Sequence, residues 1–212
     1  QLWLRYAPLA IIMAIAVFAR LWQIDQFPFG TWFDEATNGL EAAQILKEPS
    51  YRPVFLDSTT LLPAQFNYLV AAAFALFGVS TTSVRLVTAG FGVAAVLFAY
   101  LLFRRWLGER IGLVAAAMFA VLRYSLNFSR LGMHGITVPA FEVAFLFFLD
   151  RALERKRLSD FAWMGLTLGF GLSFYFAFRL FPVVLAVFAG GMILAALIRR
   201  RDSALRRLQG HL

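Results

Sequence analysis

Apolar residues run along this chain in long uninterrupted stretches, and charged residues are largely confined to the gaps between them. Residues 86–103, 161–178 and 180–198 contain no charge at all, and each approaches the roughly 20 apolar residues that a helix needs to cross a bilayer. Residues 2–22 form a fourth stretch with Arg5 and Arg20 near its ends, and 111–128 a fifth in which Arg123 reaches toward the headgroups. Residues 136–149 make a shorter sixth, with Glu142 inside it and room to extend at Asp150. A further apolar run, 64–77, is shorter than a span, includes Gln65 and Asn67, and is framed by Pro63 and Gly78 as helix start and stop signals. It reads as a short helix in the interface or re-entering the membrane. The pattern predicts an all-α polytopic membrane protein, a single transmembrane domain over 1–212 with about six spans.

The placement of charge supports that topology. Basic residues cluster at Arg104, Arg105 and Arg110, at Arg151 to Arg157, and at Arg199 to Arg207. If 64–77 does not cross, all three clusters share one side with Arg5, which the positive-inside rule makes cytoplasmic. The loop on the other side, 23–82, holds Lys47 and Arg52 against Asp25, Asp34, Glu35, Glu41, Glu48 and Asp57. That acidic loop is therefore expected outside, with the N-terminus cytoplasmic.

Composition narrows the class further. At 61% hydrophobic, 15% charged and a mean hydropathy of +0.72, a chain of this length exceeds what a soluble core could hide. Its net charge of +8 follows from topology, and nucleic acid is not an expected partner. There is no cysteine, which excludes disulfides and thiolate metal sites.

Candidate chemistry falls in the outer loops. After the turn signal Phe27-Pro28-Phe29-Gly30, apolar Phe33, Ala36, Leu40 and Ala43 recur at helical spacing opposite Asp34, Asn38, Glu41 and Glu48. This predicts an amphipathic helix along the outer surface. Thr31 with Asp34 three positions later fits a capping box, so Asp34 and Glu35 read either as helix-start residues or as a carboxylate pair serving an acceptor nucleophile. The second outer loop carries Ser129-Arg130-x-Gly132 and His134, and the third turns over Tyr175 to Pro182 with Arg179 as its only charge. Arg130 and Arg179 read either as snorkelling interfacial residues or as planar forks for a phosphate. Glu142, costly inside a span unless paired, has Arg123 and Arg130 as candidate partners in a structural network. His134, with no second histidine beside it, reads as loop or site support rather than as a metal ligand.

Taken in order, Pro28-x-Gly30-x-Trp32-x-Asp34-Glu35-Ala36-x-x-Gly39, Phe77-Gly78-x-Ser80 with Arg85, Ser129-Arg130-x-Gly132, and Tyr175-x-x-x-Arg179-x-x-Pro182 resemble the dolichyl-phosphate-mannose-protein mannosyltransferase-like superfamily. Within it the likeness is nearest to bacterial membrane glycosyltransferases of the group that includes the lipid A aminoarabinose transferases. The resemblance implies a GT-C-like fold with juxtamembrane helices in the first outer loop. It also implies a sugar taken from a polyprenyl-phosphate donor to a lipid, protein or glycan acceptor on the outer face of a bacterial or archaeal plasma membrane. It assigns Asp34, with Glu35 beside it, as the catalytic acidic position, and Arg130 and Arg179 as donor-phosphate ligands. A divalent metal is compatible with it, but no certain cofactor follows. Where relatives carry a second acidic residue near the fourth span, this chain has Thr137-Val138-Pro139. It further implies that the chain is the N-terminal portion of a longer enzyme and inactive alone. A transporter or flippase-like carrier of polyprenyl-linked substrates is the alternative, although a carrier would more naturally place its charges near the membrane midplane.

Overall fold

The apolar stretches fall on helices in a computed structural model that describes the backbone of residues 2–56 and 61–209 and the side chains of 6–56 and 61–199. Arg5, Asp57 and Arg200 to Arg207, which entered the topology argument, have side chains outside that description. The order is α1 (Leu2–Leu21), α2 (Phe33–Lys47), β1 (Phe55–Leu56), β2 (Leu62–Pro63), α3 (Gln65–Phe77), α4 (Thr81–Leu107), α5 (Glu109–Val121), α6 (Arg123–Arg130), α7 (Thr137–Arg155), α8 (Leu158–Phe174) and α9 (Leu180–Gln209). Single 3-10 turns, His134–Ile136 and Phe176–Arg179, precede α7 and α9. The two strands form a small antiparallel ladder pairing Phe55 with Pro63 and Leu56 with Leu62.

The chain divides into two units, Gln1–Phe176 and Ala177–Leu212. In the first, α4 is the axial element, packing against α1, α2, α3, α5, α6 and α7. Ser80 starts α4 by accepting the Ser83 N–H at 3.2 Å, a side-chain cap. Gly108, at φ +89°, ends it and lets α5 fold straight back. One apolar core joins α2, α3 and α4 through Ile45, Phe66, Val70, Phe74 and Val84; a second joins α1, α4 and α5 through Ala16, Val96, Tyr100, Ala116 and Ala120. The small residues of the second core let helix axes approach closely, as in membrane bundles. The second unit consists chiefly of α9.

Thr81–Leu107 and Phe176–Arg199 are long and apolar enough to cross a membrane, and α5 with α6 makes a third such segment if read as one broken span. Tyr6–Leu21 and Gln65–Phe77 are apolar but shorter. At about 1.5 Å per residue α3 is some 20 Å long, well under the hydrocarbon thickness, and its bounds agree with the short helix expected between Pro63 and Gly78.

The stretch at 111–128 differs from its expectation as one continuous helix. It breaks at Leu122 (φ −57°, ψ 124°), and the halves meet at 52°. The cause lies on another helix. Arg20, expected as a flanking charge of the first span, is fully buried and donates to the Phe119 and Ala120 carbonyls at 3.3 and 3.1 Å, and to the Ser125 and Ser129 hydroxyls at 2.8 and 3.1 Å. The carbonyls freed by the break thus acquire donors, as any buried backbone group requires. Gly92 of α4 makes room, since a Cβ there would stand 2.6 Å from the Arg20 Nε and 2.0 Å from the Ser129 Oγ. The stretch at 161–178 also ends early: α8 stops at Phe174, and Tyr175 is extended.

Candidate functional site

Helix α2 forms where the sequence places it, with part of its polar stripe turned into the fold. Phe33 and Leu40 are 76% and 73% exposed, whereas Glu35, Asn38 and Glu41 are buried. Each of these polar side chains has a partner waiting. Glu35 accepts from Arg85 Nε and Nη2 at 2.8 and 3.0 Å, from the Gly132 N–H at 2.9 Å, and from the Trp32 N–H at 3.3 Å. Asn38 donates to the Gly132 carbonyl at 2.9 Å and receives Asn67 of α3, and Glu41 accepts from the Tyr51 hydroxyl at 2.7 Å. A polar stripe is buried here because it is satisfied by hydrogen bonds, not because it is apolar.

The helix start is correspondingly different from the expected Thr31 to Asp34 box. Trp32 is the N-cap, and Glu35 reaches back to its N–H. The Thr31 hydroxyl stands 3.4 Å from that of Thr81 instead. Asp34 is consequently not a cap: its side chain is exposed, makes no hydrogen bond or ion pair among the described residues, and faces a cavity of about 420 Å³.

That cavity lies within the first unit. Asp34, Thr37 and Asn38 come from α2, Phe128 from α6, Met133 to Gly135 from the following loop, and Tyr175 with Phe176 from the turn after α8. Two bonds to Gly132 tie the loop that follows α6 to α2. Glu35 and Asn38 grip the N–H and the carbonyl of Gly132, one and four residues from Asp34, while His134 follows two residues after Gly132. Gly132 is required to be small, because a Cβ would stand 2.5 Å from Val84 Cγ1 and 3.0 Å from Glu35 Cγ. Burial, then the Asp34 carboxylate, then Tyr124 push the Tyr175 hydroxyl above its usual pKa of 10. Tyr175 thus experiences the negative charge of Asp34 on the same cavity.

The other expected site residues are distributed as follows. Glu35, predicted beside Asp34 as half of a catalytic pair, is closed off in its ion pair with Arg85 and holds the loop instead. Arg130, predicted as a phosphate fork, donates to the carbonyls of Ala19, Trp22, Gln23 and Phe27 at 2.7 to 3.4 Å and so caps the end of α1. Arg179, in the second unit, is exposed and unpaired among the described residues. Arg123 is exposed at the start of α6. Glu142 is half-buried and forms no ion pair with Arg123 or Arg130 among the described residues, so the expected network is not formed. His134 is buried between Phe66 and Tyr175, with ring centroids at 4.4 and 5.6 Å. Among the described residues, no three His, Asp or Glu side chains gather as a metal-binding group.

Sequence reasoning missed Tyr175 as a cavity residue and Asn38 as its scaffold. Both carried a signal: Tyr175 opens a connection whose single charge, Arg179, follows four residues later, and Asn38 is a polar residue at helical spacing from Asp34.

The sequence profile described as dolichyl-phosphate-mannose-protein mannosyltransferase matches residues 62–207. Comparison with curated proteins and with solved structures returns no match.

Proposed function

Because this chain belongs to the dolichyl-phosphate-mannose-protein mannosyltransferase family, and is therefore a membrane glycosyltransferase of GT-C-like type, we propose that the cavity of α2 is its sugar-transfer site and Asp34 its base. The observation that carries this is the contrast between adjacent carboxylates. Glu35 has every oxygen engaged by the fold, whereas Asp34 is free and faces the cavity.

In the proposed reaction an acceptor hydroxyl attacks the anomeric carbon of a polyprenyl-phosphate-linked sugar. The new C–O bond forms as the bond to the phosphate oxygen breaks. The hydroxyl proton passes to Asp34, and the electron pair leaves on the polyprenyl phosphate, which inverts the anomeric centre. Arg179, in the second unit, stays the proposed donor-phosphate ligand on its chemistry alone, because its guanidinium fork is uncommitted among the described residues and phosphate takes such a fork through paired hydrogen bonds. Arg130 suits it less, its donors being directed at α1. One carboxylate is sufficient for this scheme, in keeping with Thr137-Val138-Pro139 where relatives carry a second acid.

The same reading places the first outer loop, 23–82, on the outer face of a bacterial or archaeal plasma membrane, with six spans and a cytoplasmic N-terminus. The acidic loop opposite the basic clusters supports it. The motif order also supports a place nearest the aminoarabinose-transferase group. A carrier without catalysis is disfavoured, since family membership is with transferases and the free carboxylate stands in an outer loop.

Asp34→Asn tests the assignment. A general base contributes about 10² to 10⁴-fold in rate, so in the whole enzyme transfer from a polyprenyl-phosphate mannose donor should fall by that factor while thermal unfolding is unchanged. Transfer at the parent rate would remove Asp34 from the chemistry.

A further inference from the structure

The cavity contains a second polar side chain to which the reaction above gives no work. His134 is 5% exposed, lines the cavity, and is clamped between the Phe66 and Tyr175 rings. Its Nε2 is buried and finds no hydrogen-bond partner among the described residues. Unpaired buried polar atoms are rare, and at a cavity wall they mark a place where something else supplies the bond.

The backbone holding this imidazole leaves it little freedom. The Thr137 hydroxyl donates to the His134 carbonyl at 2.6 Å, and a Cβ at Gly135 would stand 2.5 Å from the Phe128 ring. Together with the grip of Glu35 and Asn38 on Gly132, these contacts fix the residue on both sides. Burial lowers the His134 pKa to about 4, which keeps the ring neutral near pH 7. Most of the rest of the wall is aromatic or aliphatic, with the Thr37 hydroxyl and the Asn38 amide as neutral polar groups, and Asp34 is the only formal charge among the described lining residues at neutral pH. Such a surface does not suit a phosphate. It suits a ring that offers C–H faces to aromatic side chains and hydroxyls to neutral polar ones.

We propose that His134 is a sugar-binding residue, its clamped neutral imidazole forming a hydrogen bond with one hydroxyl of the sugar being transferred. Phe66 and Tyr175 act on the sugar through it, as positioning residues that set the plane of the imidazole. The proposal rests on the reading of this cavity as the transfer site.

The test uses the full chain in lipid nanodiscs, with methyl α-mannoside and its 2-, 3-, 4- and 6-deoxy analogues as probes. The parent should bind one deoxy analogue about tenfold more weakly than methyl mannoside, the effect of one lost hydrogen bond. In His134→Phe, which keeps the ring stack but has no nitrogen, that discrimination should disappear. The same hydroxyl should be seen without any substitution, because methyl mannoside should shift the side-chain ¹⁵N resonance of His134, and the discriminated deoxy analogue should not. Equal discrimination in parent and His134→Phe, no discrimination in the parent, or a ¹⁵N resonance unmoved at saturating sugar would each overturn the proposal. The two readings fail separately. Transfer surviving in Asp34→Asn while the coupling at His134 persists would remove the base and leave the sugar ligand. Transfer lost in Asp34→Asn with no coupling at His134 would do the reverse.

Discussion

Glu35 and Arg85 share two hydrogen bonds, of 2.8 and 3.0 Å, in a space closed to solvent, and through them four separate segments of the chain meet. The guanidinium also donates to the Ile24 and Gly30 carbonyls, so the turn after α1, the start of α2, the start of α4 and the loop at Gly132 are joined by one ion pair. Removing one partner of such a pair strands a buried charge and costs about 3–5 kcal/mol. Glu35→Gln and Arg85→Met should each lower the thermal unfolding temperature sharply and lose transfer as a consequence of unfolding. If Glu35→Gln unfolds with the parent and still loses transfer, the carboxylate takes part in the reaction after all.

A second buried cation has no acid beside it. Arg20 faces the carbonyls and hydroxyls at the α5–α6 break, and no carboxylate contacts it among the described residues. Hydrogen bonds to charged groups contribute about 1.5–3 kcal/mol each, and orphaned carbonyls cost on a similar scale. Arg20→Met should therefore destabilise the chain by about 3 kcal/mol or more, and Arg20→Lys by less, with Ser125→Ala the mildest of the three. Denaturant titration in detergent followed by circular dichroism would rank them.

What the sequence made legible divides along a physical line. The helices of α4, α8 and α9 follow from uninterrupted apolar runs, and α3 from its Pro63 and Gly78 boundaries, because burial in lipid and backbone hydrogen bonding are local demands. The orientation of α2 was not legible. Its amphipathic pattern predicts a helix along the surface, but which polar residues turn into the fold is decided by Arg85, Asn67 and Gly132, which lie some 30 to 100 residues away. The break at Leu122 was hidden for the same reason, since it depends on Arg20. At the site, Asp34 was visible as an acidic residue beside a turn signal, while its difference from Glu35 came only from the Glu35 side chain turning inward to partners distant in sequence.

Arg130 and Arg179 now carry different expectations. Arg130 directs its fork at four carbonyls around the end of α1, whereas Arg179 has no such commitment. Lysine retains the charge and loses the fork. Arg130→Lys should therefore lower unfolding temperature with donor affinity close to the parent's, and Arg179→Lys should do the opposite. Binding of a short-chain polyprenyl-phosphate mannose, measured beside a melting curve for each variant, separates them. A loss of donor affinity in folded Arg130→Lys would restore its phosphate role.

The buried imidazole gives stability a dependence on pH whose sign is fixed. In the unfolded chain His134 has the ordinary value of 6.5, and in the folded chain burial lowers it to about 4. Between those values the unfolded chain holds a proton on this residue and the folded chain does not, so stability falls as pH drops from about 6.5 toward 4. A difference of this size corresponds to roughly 3 kcal/mol at the lower end. Of the groups facing the ring, Tyr175 titrates far above this window, and Asp34 on the same cavity is removed as a titrating group by working in an Asp34→Asn background. Unfolding free energy measured from pH 7 to pH 4.5 should decline more steeply with His134 present than in the Asp34→Asn, His134→Phe double variant, and the two curves should run parallel above pH 7. Parallel curves across the whole range would mean that the folded imidazole takes up its proton as readily as the unfolded one, and that the aromatic clamp is open to water.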